Sequence, residues 1–367
     1  MATIVAAVGG GNWTTGATWV GGSAPTAADD AQLDALSGNV TIDAGAVCRS
    51  LDCTGYTGTL THTSAVILTI GDGTAGAGNV ALKLVSGMTY TRPGISAAIS
   101  YISTSATVQT IDTAGKNMGS STFNGVGGSW QFTSSFSGTG NPAITLTNGT
   151  LDFNDQTVSI GSISTNNSNA RTISLGNGTI TLTADATVWN GTSVTNLTVN
   201  SEGSTIVLSG VGAGNKTFAG GGKTFNDLSI TGGGAGVVIF SGANTFSDFT
   251  INAPKSVRFP AGVTTTVSSF VATGSAGNLI TIDSSSAGSA ATLSDASGTN
   301  SCDFLSLQDS TAIGGASWFS GSNSINVSGN SGWVFPSSDT GGGISAPAEP
   351  GITARAGGLQ FTSGLTE

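Results

Sequence analysis

The chain has 367 residues, 57 of them Gly, with 8% charged residues and a formal net charge of −10. Soluble proteins usually carry about a quarter charged residues, and helix surfaces draw on Glu, Lys and Arg; three Glu in all, at Glu202, Glu349 and Glu367, argue against a helical fold of this size. The acidic balance offers no basic footprint for nucleic acid, and no run of about 18 apolar residues predicts a membrane-spanning helix.

Ser, Thr and Asn must cover the surface, and they suit strands and turns. With 38% hydrophobic residues in short alternating runs, the chain holds enough apolar material for a core that is thin and long, which separates it from a flexible Gly/Ser linker. The N-terminus lacks a basic region and reads as no signal peptide. The three cysteines, Cys48, Cys53 and Cys302, are too scattered for a disulfide framework, and with His62 as the sole histidine no zinc spacing occurs. These features predict assembly in a reducing cytoplasm, with no cofactor and no metal.

In chain order, residues 1–35 form an opening block in which Trp13 and Trp19 sit among turn residues. A solenoid needs such a cap to close its first rung; a carbohydrate-binding Trp pair is the alternative. Residues 36–335 are a series of short β-like runs: VTI at 40–42, AVILTI at 65–70, VALKLV at 80–85, TISL at 172–175, TITLTA at 179–184 and STIVLSG at 204–210. Each alternates apolar residues with Ser or Thr, the period of a half-buried strand, and Gly- and Asn-rich turns separate them.

An internal repeat is the strongest signal. KTFNDLSI (223–230), NTFSDFTI (244–251) and TTVSSFVA (265–272) follow at 21-residue offsets. Phe225, Phe246 and Val267 then form one column, and Leu228, Phe249 and Phe270 a second. Val238, Phe259 and Ile280 keep the same offset and predict a third. Weaker echoes occur at VTNLTV (194–199) and CDFLSL (302–307). Columns sharing one period are expected when each repeat is one coil of a stack with rungs about 4.8 Å apart. No period emerges in the N-terminal third, where a β-sandwich stays open, and the fold of residues 90–200 stays open as well.

Residues 336–367 differ. PSSDTGGGISAPAEPG reads as a linker, and the following ITARAGGLQFTSGLTE carries Ile352, Leu359, Phe361 and Leu365. These four apolar residues are expected to bind a partner chain.

Several motifs carry a bland reading. GDGTAG (71–76) matches a dinucleotide fingerprint, but AGNVALKLV after it reads as a strand where a helix is required. GGGKT (220–224) lacks the first Gly of a P-loop, since Thr217 stands there. The candidates for the paired carboxylates of glycoside hydrolysis are Asp283, Asp295, Asp303, Asp309 and the lone Glu202. Asp227 and Asp248 repeat with the coil and read as strand-edge residues. Asp29, Asp30 and Asp34 lack the alternate spacing of a calcium loop and read as a solvated strand end. No catalytic residue is expected.

The pieces Phe246–Ile251, Pro260–Phe270, Leu279–Ser285, Cys302–Ser310 and Gly329–Phe335 resemble the C-terminal halves of β-helical structural proteins of tailed bacteriophages, and GNWTTGATWVGGSAPTAADDAQL resembles their start. The resemblance implies a virion component and brings no catalytic residues with it.

The expected fold is all-β: a parallel β-helix with an N-terminal cap and an extended C-terminal tail. The expected role is a non-enzymatic virion structural protein, capsid-decorating or otherwise exterior, assembled in the host cytoplasm and attached through its tail. The implied partners are the major capsid or tail protein of the same virion and two further copies in a homotrimer, with a host-surface glycan if the protein is instead a tail fibre or tailspike-like receptor binder. A bacterial surface adhesin is the third reading.

Overall fold

The structure is a computed structural model; residues 2–252 and 254–336 are described. All 32 strand pairings within its sheets are parallel, with isolated antiparallel bridges at a few turns. The chain is a β-solenoid of about 14 turns, and the described residues hold only two three-residue 3-10 turns, Gly16–Thr18 and Ala77–Asn79. The N-terminal third is part of the same stack, so the sandwich alternative falls.

Most strands fall into three long ladders, with shorter sheets at the two ends. One runs from Thr3–Val5 through Asp30–Gln32, Ser50–Asp52 and Val80–Lys83 to Gln109–Asp112. A second runs from Val47–Cys48 through Ile67–Ile70 and Ala98–Tyr101, and ends at Ile325–Ser328. The third includes Val158–Ile160, Thr179–Leu182, Thr205–Leu208, Asp227–Ile230, Asp248–Asn252 and Ser269–Thr273. The long strands Ser121–Phe132 and Ala143–Asp152 bend from the second ladder into the first, which merges the two into one 20-stranded sheet. That corner requires glycine: at Gly149, with φ +86°, a Cβ would meet the carbonyl oxygens of Gly128 at 2.5 Å and Gly125 at 2.7 Å.

Alternation decides which side chains enter the core. In Thr205–Leu208, Ile206 and Leu208 are buried while Thr205 and Val207 face out, and the same pattern recurs in Thr179–Leu182 and Asp227–Ile230. Because coils stack in register, like lies on like. Phe225 stacks on Phe246 with centroids 5.6 Å apart, and Leu228 pairs with Phe249, which pairs with Phe270. Val267 is buried and Thr224, Thr245 and Thr266 bridge in succession beside this column, so both predicted columns stand.

The third predicted column does not. Val238 pairs with Val257, Val257 with Ile282, and Phe259 with Ser284. The offsets on this face are 19 and then 25 residues, because one turn is shorter and the next longer than in the neighbouring ladder. Phe240 takes the place expected of Val238, stacking on Phe259 at 5.3 Å. The echoes VTNLTV and CDFLSL are also corrected: Leu197–Asn200 pairs with Arg171–Ser174, and Leu305–Gln308 pairs with Ile280–Ser284, in other ladders from the one carrying Leu228. Across 90–200 the second ladder advances by 22, 23, 19 and 26 residues per coil, which is why no period is visible there.

Tryptophan pairs sit near both ends of the core. Trp13 and Trp19 meet edge to face at 4.9 Å, and Trp318 and Trp333 do so at 5.2 Å. The edge of Thr3–Val5 away from its ladder is met by Thr18–Val20: Ala7 N–H donates to the Thr18 carbonyl and Val20 N–H to the Val5 carbonyl.

Candidate functional site

The motifs weighed in the sequence resolve into structural roles. GDGTAG leads into the 3-10 turn Ala77–Asn79 and then the strand Val80–Lys83. GGGKT lies in the turn between Lys216–Ala219 and Asp227–Ile230, with Gly221 and Gly222 at positive φ and the Lys223 ammonium donating to the Leu197 carbonyl.

The carboxylates are engaged one by one. Asp283 pairs with Arg258 at 2.7 Å. Asp295 is buried and accepts from the Asn300 amide. Asp303 accepts from Asn323, and hydrogen bonds from that side chain and backbone hold its carboxyl below the usual range against the cost of partial burial. Asp309 accepts from the Gly288 N–H. Asp227 and Asp248 open their strands, as the repeat implied, and the Asp248 N–H donates to Asp227. Glu202 sits in a turn at positive φ.

The Asp29–Asp34 region differs from the expected solvated strand end. Asp30 is buried, bidentate to the Arg49 guanidinium and accepting from Ser50 Oγ. Asp29 caps Thr26 and Asp34 caps Leu36 and Ser37, so the three carboxylates serve different partners. Among the described residues no group of three or more His, Cys, Asp or Glu has the geometry to hold a metal.

The remaining chemistry-bearing side chains lie in the core. His62 is fully buried, and its Nε2 lies 3.1 Å from the Val66 carbonyl. That nitrogen must carry the proton, so Nδ1 accepts from the Tyr90 hydroxyl at 2.9 Å. Burial, with the Arg92 charge nearby, lowers the His62 pKa to about 4. The three thiols are free and buried, and desolvation raises all of them, Cys302 to about 12. Lys216 donates to Asp185 at 2.6 Å and to the carbonyls of Gly212 and Gly214, while Lys255 donates to the Gly234 carbonyl. Arg171 places four donors on the carbonyls of Thr165, Asn169, Thr195 and Ser193. These cations tie adjacent coils together at their turns. Composition alone gave no sign of them, because a rare charge reads as a surface charge until the turns that surround it are known.

All six tryptophans are buried, which removes the Trp13–Trp19 pair as a carbohydrate platform. The outward positions form ladders of hydroxyls, such as Thr69–Ser100–Thr122–Thr145–Ser164 and Ser129–Thr150–Thr172–Thr198. Exposed large apolar side chains are scattered along the described residues, Val8, Leu36, Val126 and Val211 among them, but five fall within the last two coils: Ile313, Phe319, Ile325, Val327 and Val334. This is the chain's candidate interaction surface. The four residues singled out in the sequence, Ile352, Leu359, Phe361 and Leu365, lie outside the described residues.

Comparison with protein-family models, with curated proteins and with solved structures gives no match. The likeness to bacteriophage proteins therefore rests on the sequence pieces quoted above.

Proposed function

We propose that the protein is a non-enzymatic structural component of a tailed-bacteriophage virion, capsid-decorating or otherwise exterior, homotrimeric, and attached to the major capsid or tail protein through its C-terminal segment. The observation that carries this reading is the outer surface of the stack. Ladders of Ser and Thr with few charged residues cover a close-packed aromatic and aliphatic core, a construction suited to a rigid rod that makes few ionic contacts. The sequence likeness supplies the virion, and the side chains of Ile352, Leu359, Phe361 and Leu365 supply apolar anchors, each able to contribute about 1.5–3 kcal/mol when buried.

The test is binding of purified full chain to virions that lack it, against a chain truncated after Pro336. The full chain should decorate particles at saturating, regular occupancy, and the truncated chain should fail to. Unchanged occupancy after truncation would remove the attachment role, and adsorption of the protein to host cells in place of particles would favour the receptor-binding reading.

A further inference from the structure

The two ends of the stack are finished differently. At the first coil the outer edge of Thr3–Val5 is occupied by Thr18–Val20. At the last coil, among the described residues, Ile325–Ser328 pairs on one side only, with Leu305–Gln308. An edge left with free N–H and C=O groups is a template for another strand.

This edge strand also inverts the polarity of the rungs beneath it. Ile325 stands over Ser306, an outward position, and Asn326 stands over Leu307, a core position. Val327 is the extra residue of a bulge, since Leu307 pairs with Asn326 and Gln308 with Ser328. Ile325 and Val327 are 51% and 50% exposed. A strand added here must put apolar side chains on the outer face, over Ile325, and polar ones over Asn326.

The sequence holds one segment of that pattern beyond the solenoid: Gly358-Leu359-Gln360-Phe361-Thr362-Ser363, apolar at Leu359 and Phe361 and polar between. The same chain does not reach the position by simply coiling once more. Steps of this ladder range from 19 to 31 residues, and its last four, which set the coil length at this end, are 19 or 25, with 20 across the bulge. A further coil of the length of these last four brings residues about 344–353 to the edge, where Pro347 and Pro350 remove donors that a ladder needs. Instead 21 residues rich in Gly, Ser and Pro separate Pro336 from Gly358, an arm of up to about 70 Å, comparable to the length of the stack.

We infer that residues 358–363 of a neighbouring copy add to the free edge of Ile325–Ser328 as one more parallel rung, with Leu359 and Phe361 against Ile325 and Gln360 over Asn326. The ligand of this surface is thus an extended peptide with alternating apolar residues, bound by strand addition. The inference rests on the attachment role proposed for the C-terminal segment and assigns Leu359 and Phe361 to a second copy, leaving Ile352 and Leu365 for the capsid or tail protein.

The test uses the full chain and a Leu359→Asp/Phe361→Asp variant, with hydrogen exchange at the amides of residues 325–328 and mass in solution from light scattering. The full chain is expected to be multimeric, with these amides exchanging at least about tenfold more slowly than in a monomeric variant. A synthetic peptide of residues 352–367 should restore slow exchange in the variant without restoring the multimer, and the same peptide with both Asp changes should not. Equal exchange in chain and variant, a peptide without effect, or slow exchange in a monomeric full chain would each overturn the inference, the last by making the chain's own arm the occupant. The attachment reading is scored separately: a variant that fails to decorate virions while its exchange matches the full chain leaves that reading standing and removes this one.

Discussion

Phe249 stacks on Phe270 one coil further along, with ring centroids 5.6 Å apart and planes 21° apart. It also touches Phe240, Phe246 and Phe259 at 5.2 to 5.7 Å, which makes it the centre of the aromatic column in this half of the stack. Phe249→Ala is expected to destabilise by about 3–5 kcal/mol, because the hydrogen-bonded rungs around it cannot collapse into the cavity. Denaturant unfolding checks this. The double change with Phe270→Ala should cost less than the sum of the single changes, since the rings share one contact.

Arg171 is a second structural centre, and a charged one. It is buried with four donors on carbonyls of the loops at 165–169 and 193–195, and desolvation lowers its pKa. Arg171→Met keeps the packing volume and leaves these carbonyls without their donor. A loss of about 2–4 kcal/mol is expected, read from the shift of the denaturant midpoint. Arg171→Lys should recover only part of it, because an ammonium cannot span the fork. A midpoint unchanged in Arg171→Met would mean that the loops hold without the clip.

His62 imposes a pH dependence. Its folded pKa of about 4 lies below the ordinary imidazole value of 6.5. Between those values the unfolded chain binds a proton that the folded one refuses, so stability falls as pH drops through this window, by roughly 3 kcal/mol at its lower end. His62→Gln, which has no such titration, should show a flatter profile over the same range. Identical slopes for both proteins would contradict the burial of the imidazole.

The thiols give a simple accessibility check. Cys48, Cys53 and Cys302 are buried and their thiolates are disfavoured by desolvation. A thiol reagent in mildly alkaline buffer should label none of them in the folded protein and all three after denaturation. Fast labelling of Cys302 in the native state would show that the coil around it opens.

Much of the fold was readable from residues alone. The alternation in TIVL, DLSI and DFTI states which side chains enter the core, and the offset joining Phe225 to Phe246 and Phe249 to Phe270 states that coils stack in register. Both signals are local: strand period and like-on-like stacking recur wherever the turns have equal length. The column through Val238 escaped because its turns do not, and a shared spacing of 21 between Val238, Phe259 and Ile280 proved a coincidence of unequal turns. The buried ion pair of Arg49 with Asp30, the carbonyl clip of Arg171 and the neutral His62 escaped for another reason. Their partners lie on other coils or across a turn, and only the stacking brings them together.

The sequence by itself determined that this chain is all-β, that its core is a narrow column of aliphatic and aromatic side chains, and that its surface is sparsely charged and acidic. Strand alternation and composition are enough for that, since each follows from one residue and its neighbours. Only the tertiary structure decided the register of each coil, the burial of all six tryptophans and the edge at Ile325–Ser328, unpaired among the described residues, with its inverted polarity. Those depend on turn lengths summed along the chain, and a single residue more or less in a turn changes which side chain the next rung presents to the core.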